Sequence, residues 1–235
     1  MATRDKRPGG TRAGLTRASI LRRAVELADR DGIDSLSMRR LGQALGVEAM
    51  SLYNHVAGKD DLLDGMIDLV FAEIDLPTLG GDWKTGMRQR AVSARAALTR
   101  HRWGVGLMES RRKPGPASLR HHDTVLGTLR QAGFSVDAAA HAYSVLDSYI
   151  YGFTLNEQSL PVDAGQDVAE MGTAILRQQQ AGAYPYLAEF IVEHAMKPGY
   201  SYGAEFEFGL DLILDGLERA RNMGSPRRHD PPGGG

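Results

Sequence analysis

The sequence predicts an all-α protein, and three observations carry that prediction. Apolar residues recur at three- and four-residue spacing in six separate windows, the period of a helix with one buried face. No run of four or more apolar/polar alternations is present, so the period of a half-buried strand is missing. Breaks fall at Gly32, Gly46, Gly58, 77–81, 113–116, Gly133, 161–165 and 198–199, where helix ends and loops belong. About nine or ten helices without an internal repeat are expected.

The 235 residues are 42% hydrophobic and 24% charged, which supports a packed core and excludes an intrinsically disordered chain. At about 150 residues per domain, the length allows one to two domains. Charged residues interrupt every helical window before about 18 apolar residues accumulate, so no membrane span is expected. The first ten residues carry charge but no following apolar core, unlike a secretory signal. Cysteine is absent, which excludes disulfides, thiolate zinc sites and cysteine nucleophiles. A cytoplasmic protein without a cofactor or metal site is expected.

Charge is unevenly distributed. Residues 1–59 carry eleven Lys and Arg against six Asp and Glu, a net +5, while the remaining 176 carry 17 against 23, a net −6. A basic head on an acidic body suits a chain whose one end meets a polyanion. A solvated surface with a basic tail accounts for the charge equally well, so the pattern of residues has to decide.

The elements follow in order. Residues 1–14 lack periodicity and read as a disordered basic arm, and 224–235 read as a frayed tail. A first helix is expected over 16–31, closed by Gly32, with Ile33 and Leu36 packing back. Ser37 can N-cap a short helix in which Leu41 and Leu45 share a face. Gly42 leaves room where a second helix would cross. Gly46 supplies the left-handed conformation that ends the first helix of the pair. Val47, Leu52 and Val56 then form the buried face of the second. Two short helices joined by a glycine turn are the pattern of a helix-turn-helix, at about 37–56.

A structural helical hairpin shows the same spacing, and the exposed residues separate the two readings. Arg39 and Arg40 on the first helix, with Ser51, Tyr53, Asn54, His55 and Lys59 around the second, are types that contact phosphates and base edges. Ala49 and Met50 are suited to thymine methyl groups. A merely structural surface helix would more often carry Glu/Lys pairs.

At these residues the chain resembles the TetR family of bacterial transcription regulators. The resemblance runs from Thr16 to about Asp75. Its carriers are Ala24-Val25-Glu26-Leu27-Ala28, the run from Gly32 to Leu41, the run from Leu45 to Val56, and Gly58-Lys59-Asp60-Asp61-Leu62-Leu63-Asp64. Further on, 98–102, Gly133-Phe134-Ser135, Gly152-Phe153-Thr154-Leu155 and the run 208–218 are similar to the ligand-binding domain of the tetracycline repressor subgroup.

The resemblance implies a three-helix DNA-binding domain over 15–75, joined by a fourth helix at about 59–73 to a ligand-binding and dimerisation domain over 76–223. It implies a homodimer on double-stranded, palindromic operator DNA, released by a small-molecule effector. It places Arg39, Ala49, Met50, Ser51, Tyr53, Asn54, His55 and Lys59 at the DNA, and Ser37 and Arg40 are expected to join them. Tyr53, His55 and Lys59 are expected on phosphates, and Arg39 with 49–51 on bases. Where Asn54 stands the family most often has an aromatic residue. It further implies a dimer interface on the last helix, here Phe206, Leu210, Ile213, Leu214 and Leu217. That helix is apolar around more than one face, which requires burial on two sides.

Trp83, His101, Trp103, Met108, His122, Tyr143, Asp147 and Tyr151, with Glu157, are candidates for an effector pocket, since such pockets pair apolar walls with a few polar groups. In the tetracycline repressor one histidine touches the drug and another holds its Mg²⁺. An ungapped register puts Asp75 and Met108 at those places, and a thioether is a poor Mg²⁺ ligand. An apolar or aromatic, metal-free effector is therefore expected. Adjacent His121 and His122 point about 100° apart on a helix and cannot share one metal. Gly65 in the fourth helix is expected to permit close contact with the body. No nucleophile elbow, metalloprotease, Walker or dinucleotide motif is present, so no catalytic residue is assigned. A helical protein-binding adaptor and an enzyme without a recognisable motif are the alternatives.

Overall fold

The structure, a computed structural model, describes residues 15–108, 113–160, 166–178 and 182–224, and all regular secondary structure among them is helical. The expected basic arm at 1–14 and the tail from 225 onward lie outside the described residues.

Among the described residues eleven α-helices follow one another: α1 (Arg17–Asp31), α2 (Met38–Leu45), α3 (Ala49–Leu52), α4 (Lys59–Ala72), α5 (Trp83–Arg100), α6 (Val105–Met108), α7 (Pro116–Gln131), α8 (Val136–Ser159), α9 (Gln166–Gln178), α10 (Pro185–Phe190) and α11 (Glu205–Gly224). Nine or ten are expected from the sequence; α6, at four residues, is too short to show a period.

Local chemistry sets the helix ends in the head. Thr16 and Ser19 form a reciprocal capping box on α1, and Gly32 ends it at φ 81°. The Ser37 hydroxyl accepts from the Arg40 amide at 3.2 Å and starts α2. Gly46 sits at φ 69°, ψ 31°, the left-handed turn that ends α2. A Cβ on Gly42 would stand 2.9 Å from the Val47 carbonyl oxygen and 3.2 Å from the Ala49 amide nitrogen. The α2–α3 crossing therefore needs glycine at this position. Leu27, Leu36, Leu41, Leu52, Val56 and Leu62 close the core beneath.

Helix α4 packs against α1 on one side and against α7 on the other. Its glycine serves the head, which corrects the expectation for Gly65: an added Cβ would meet Leu21 Cδ2 of α1 at 2.7 Å. In the body, α5, α7 and α11 surround α8, with Leu98, Leu129, Leu146, Ile150 and Phe206 at the centre. Helix α7 turns a different face inward from the one its leucines suggest. Ser118, His121, Val125, Thr128 and Leu129 are buried, whereas Leu119 and Leu126 are exposed. Apolar periodicity misses this face because polar residues occupy it.

Candidate DNA-binding head and effector cavity

On the helix-turn-helix, Leu52 holds α3 to the core while the other side of α3 faces outward. Met50 is 74% exposed and Tyr53 46% exposed, a cost in hydration that the head's own packing does not explain. Asn54, Arg39 and Lys59 are exposed, and Ala49, Ser51 and His55 are half-buried. Two residues carry internal duties. Ser37 spends its hydroxyl on the α2 cap, and Arg40 pairs with Asp31 at 2.6 Å. Arg17 clamps the turn from below, donating to the His55 carbonyl at 3.2 Å and to both Asp61 oxygens at 2.7 Å. Asp61 also accepts from the Ala57 amide, and these bonds, Arg17 foremost, hold its carboxyl below the usual range.

In the body a cavity of about 580 Å³ opens between α4, α7 and α8, within the range that takes a drug-sized molecule. Helix α4 contributes Asp64, Ile67, Asp68 and Phe71, and α8 contributes Tyr143, Ser144, Asp147, Ser148 and Tyr151. Met108, Ser118, His122 and the segment 113–115 complete the wall. Met108, His122, Tyr143, Asp147 and Tyr151 are thus brought together here.

Trp83, His101 and Trp103 are not, and the wall is more polar than expected. Trp83 packs edge-on against Phe134, 5.0 Å between ring centroids, with Arg221 over its face. His101 and Trp103 are buried where head meets body. His101 Nδ1 contacts Asp29 Oδ1 at 2.8 Å and its Nε2 contacts Glu73 Oε1 at 3.1 Å, while the Trp103 indole donates to Asp29 at 2.6 Å. Glu157 pairs with Arg95, and Asp75 lies in an open groove beside α5, its amide donating to Ser93. Aromatic and titratable residues inside a helical protein look alike in sequence whether they line a cavity or seal an interface.

A buried polar cluster supports the cavity wall. Arg90, 1% exposed, donates to Asp147 Oδ1 at 2.5 Å and to His121 Nε2 at 2.9 Å. A guanidinium cannot accept, so Nε2 is the acceptor and the neutral ring carries its proton on Nδ1. Burial first, then the charges of Arg90 and His122, push the His121 pKa down to about 3. Tyr151 reaches the second Asp147 oxygen at 3.4 Å, and Tyr143 bonds His122 Nδ1. Burial, then Asp147, raises the Tyr143 phenol far above its ordinary value, so it stays protonated and available as a donor.

Sequence reasoning missed the α4 wall. Asp64, Ile67, Asp68 and Phe71 stand at i, i+3, i+4 and i+7, as do Ser144, Asp147, Ser148 and Tyr151 on α8. That matched spacing was the available signal. Asp68 also accepts from the Ser118 amide at 2.8 Å, capping α7 in place of the side chain Gly115 lacks. An added Cβ on Gly115 would overlap that carboxylate.

A helix-turn-helix head carried on a helix that also walls a cavity defines a DNA-binding regulator of the ligand-responsive class. The comparisons agree. Residues 11–66 match the family of bacterial regulatory proteins of the tetR type, and 76–221 match the tetracyclin repressor-like C-terminal domain. The chain belongs to the TetR family. It is 33% identical over 223 residues to the HTH-type transcriptional repressor DrrR1 of Streptomyces coeruleorubidus, covering 91% of this chain and 81% of that one. It is 32% identical over 219 residues to the class A tetracycline repressor from transposon 1721 in Escherichia coli, covering 90% and 96%. Among solved structures, ActR of Streptomyces coelicolor in complex with actinorhodin superposes with a TM-score of 0.76 at 28% identity, covering 91% of this chain and 100% of that one.

Proposed function

We propose that this chain is a cytoplasmic repressor that holds a two-fold operator as a homodimer and leaves it when a small molecule fills the cavity. The observation that carries the reading is the double duty of α4. One face packs on α1 of the head, and Asp64, Ile67, Asp68 and Phe71 wall the cavity. A ligand that favours a different α4 position shifts the spacing of two heads; about 100-fold relief of operator affinity corresponds to roughly 2.7 kcal/mol of coupling.

Met50, Tyr53, Asn54, His55, Arg39 and Lys59 are the proposed DNA contacts, with Ala49 and Ser51 at the base edges. The cavity suits an effector with an aromatic body, for Phe71 and Met108, and hydroxyl or carbonyl groups at its edge, for Tyr143, Asp147, Ser144 and Ser148. ActR's complex with actinorhodin supports an organic effector of this kind. No catalytic role is proposed for any of these residues.

The proposed dimer face differs from the one expected. Phe206, Leu210 and Leu214 are fully buried within the chain against α8, so they serve the monomer core. Two residues along, on the opposite side of α11, Phe208 and Leu212 are 65% and 58% exposed, and Val145 and Leu155 on α8 are exposed as well. Those four, flanked by half-buried Ile213 and Leu217, are the proposed contact with a second copy.

The test is binding of the full chain to duplexes selected from a random pool and to DNA upstream of its own gene, across a salt series. Saturable binding that weakens steeply with salt is expected, and Tyr53→Ala/His55→Ala should reduce it about 100-fold. Equal affinity for every duplex, unchanged in the double variant, would overturn the reading.

A further inference from the structure

Beyond α4, a second connection runs from the cavity to the head. Met108 lines the cavity and ends α6, a single turn whose amides at 107 and 108 bond the Gly104 carbonyl at 3.0 Å. Gly104 in turn donates to the His101 carbonyl at 2.7 Å, and a Cβ there would sit 3.0 Å from that oxygen. These bonds tie the segment 101–108 into consecutive tight turns. Its body side is held too, because Arg102 donates to the Gln158 carbonyl on α8 at 2.6 Å.

Its other side grips the head at two points. Asp29, near the end of α1, takes the His101 ring and the Trp103 indole on one oxygen, at 2.8 and 2.6 Å. Glu73, which caps α4, takes His101 Nε2 at 3.1 Å and Arg100 at 2.7 Å. Burial opposes the Glu73 charge, but Arg100 and His101 outweigh it and hold the carboxyl below its usual range. Hydrogen bonds of this kind weaken steeply with misalignment, so a small shift of the turn loosens its grip on the head.

We infer that the cluster of Asp29, Glu73, His101 and Trp103 is the latch that couples cavity occupancy to head position, acting on α1 directly as well as on α4. These are positioning residues: they contact neither the proposed effector nor DNA. The inference rests on the repressor reading, and its test separates the two.

Ser148→Trp serves as a built-in cavity filler, since Ser148 faces the cavity from α8. Operator affinity is measured with selected duplexes for the parent chain, the filled variant, the latch-less variant Asp29→Ala/Trp103→Phe, and the triple variant. Phenylalanine keeps an aromatic ring in the buried site while removing the donor, and thermal melts check that the smaller ring leaves the fold intact; Trp103→Phe alone is the second, milder latch variant. Filling should weaken operator binding about tenfold or more in the parent and less than about threefold without the latch, whose own unfilled affinity stays near the parent's. Equal weakening with and without the latch would overturn the inference. Absence of selective binding in the unfilled parent would instead overturn the repressor reading on which it depends.

Discussion

The head and the body solve opposite problems with the same helices. In the head the interior is apolar, from Ile20 and Leu27 through Leu41 and Leu52 to Leu62, and the polar groups stand outside. The body buries Arg90, His121, Thr128, Asp147 and Thr154, and Asp147 among them lines the cavity. A close-packed apolar core holds one shape, which a reader of DNA requires. Buried polar groups specify discrete bonding arrangements, and a cavity among them can exchange one for another when it fills. Helix α4 belongs to both: Leu62 and Met66 face the head core while Asp64 and Asp68 face the cavity.

That contrast can be broken most severely in the body. Asp147→Ala leaves the Arg90 guanidinium buried without its anion. A loss of about 3–5 kcal/mol is expected, read as a lowered denaturation midpoint. If the midpoint barely moves, the cluster is solvated and the body is not held by buried charge. In the head the corresponding weak point is steric. Gly42→Val drives a branched side chain into the backbone at Val47 and Ala49, for an expected cost of about 1–3 kcal/mol and displacement of α3 from its operator. Unchanged stability and operator affinity would mean that the α2–α3 crossing is loose.

The gentlest test is pH. His121 titrates at about 3 in the folded chain, against about 6.5 unfolded, so between those values the unfolded chain binds the extra proton. Its contribution to stability is complete above pH 6.5 and falls as pH drops toward 3, at most about 1.4 kcal/mol per unit. Urea midpoints at pH 7.5 and 5.5 should differ less in His121→Gln than in the parent. An identical pH dependence in both proteins would place His121 in water.

Much of the head was legible because its signals are local. Ser37, Gly42 and Gly46 each answer to a hydrogen bond, a close approach or a positive φ within ten residues of sequence, and the neighbouring chain supplies the partner. The helical class was readable for the same reason. Tertiary structure decided the rest. Two stripes at i, i+3, i+4 and i+7, half apolar on α4 and polar on α8, read alike whether they face water, a neighbour or a cavity; only the packing of α7 between them makes a cavity wall. His101 and Trp103 have the chemistry of pocket residues, yet their partners Asp29 and Glu73 lie far off in sequence and draw them to the head–body junction. On α11 two apolar faces lie on opposite sides of the helix, and packing against α8 settled which of them enters the core. Sequence by itself determined the elements whose bonds close over a few residues, and the fold decided every site whose partners arrive from separate helices.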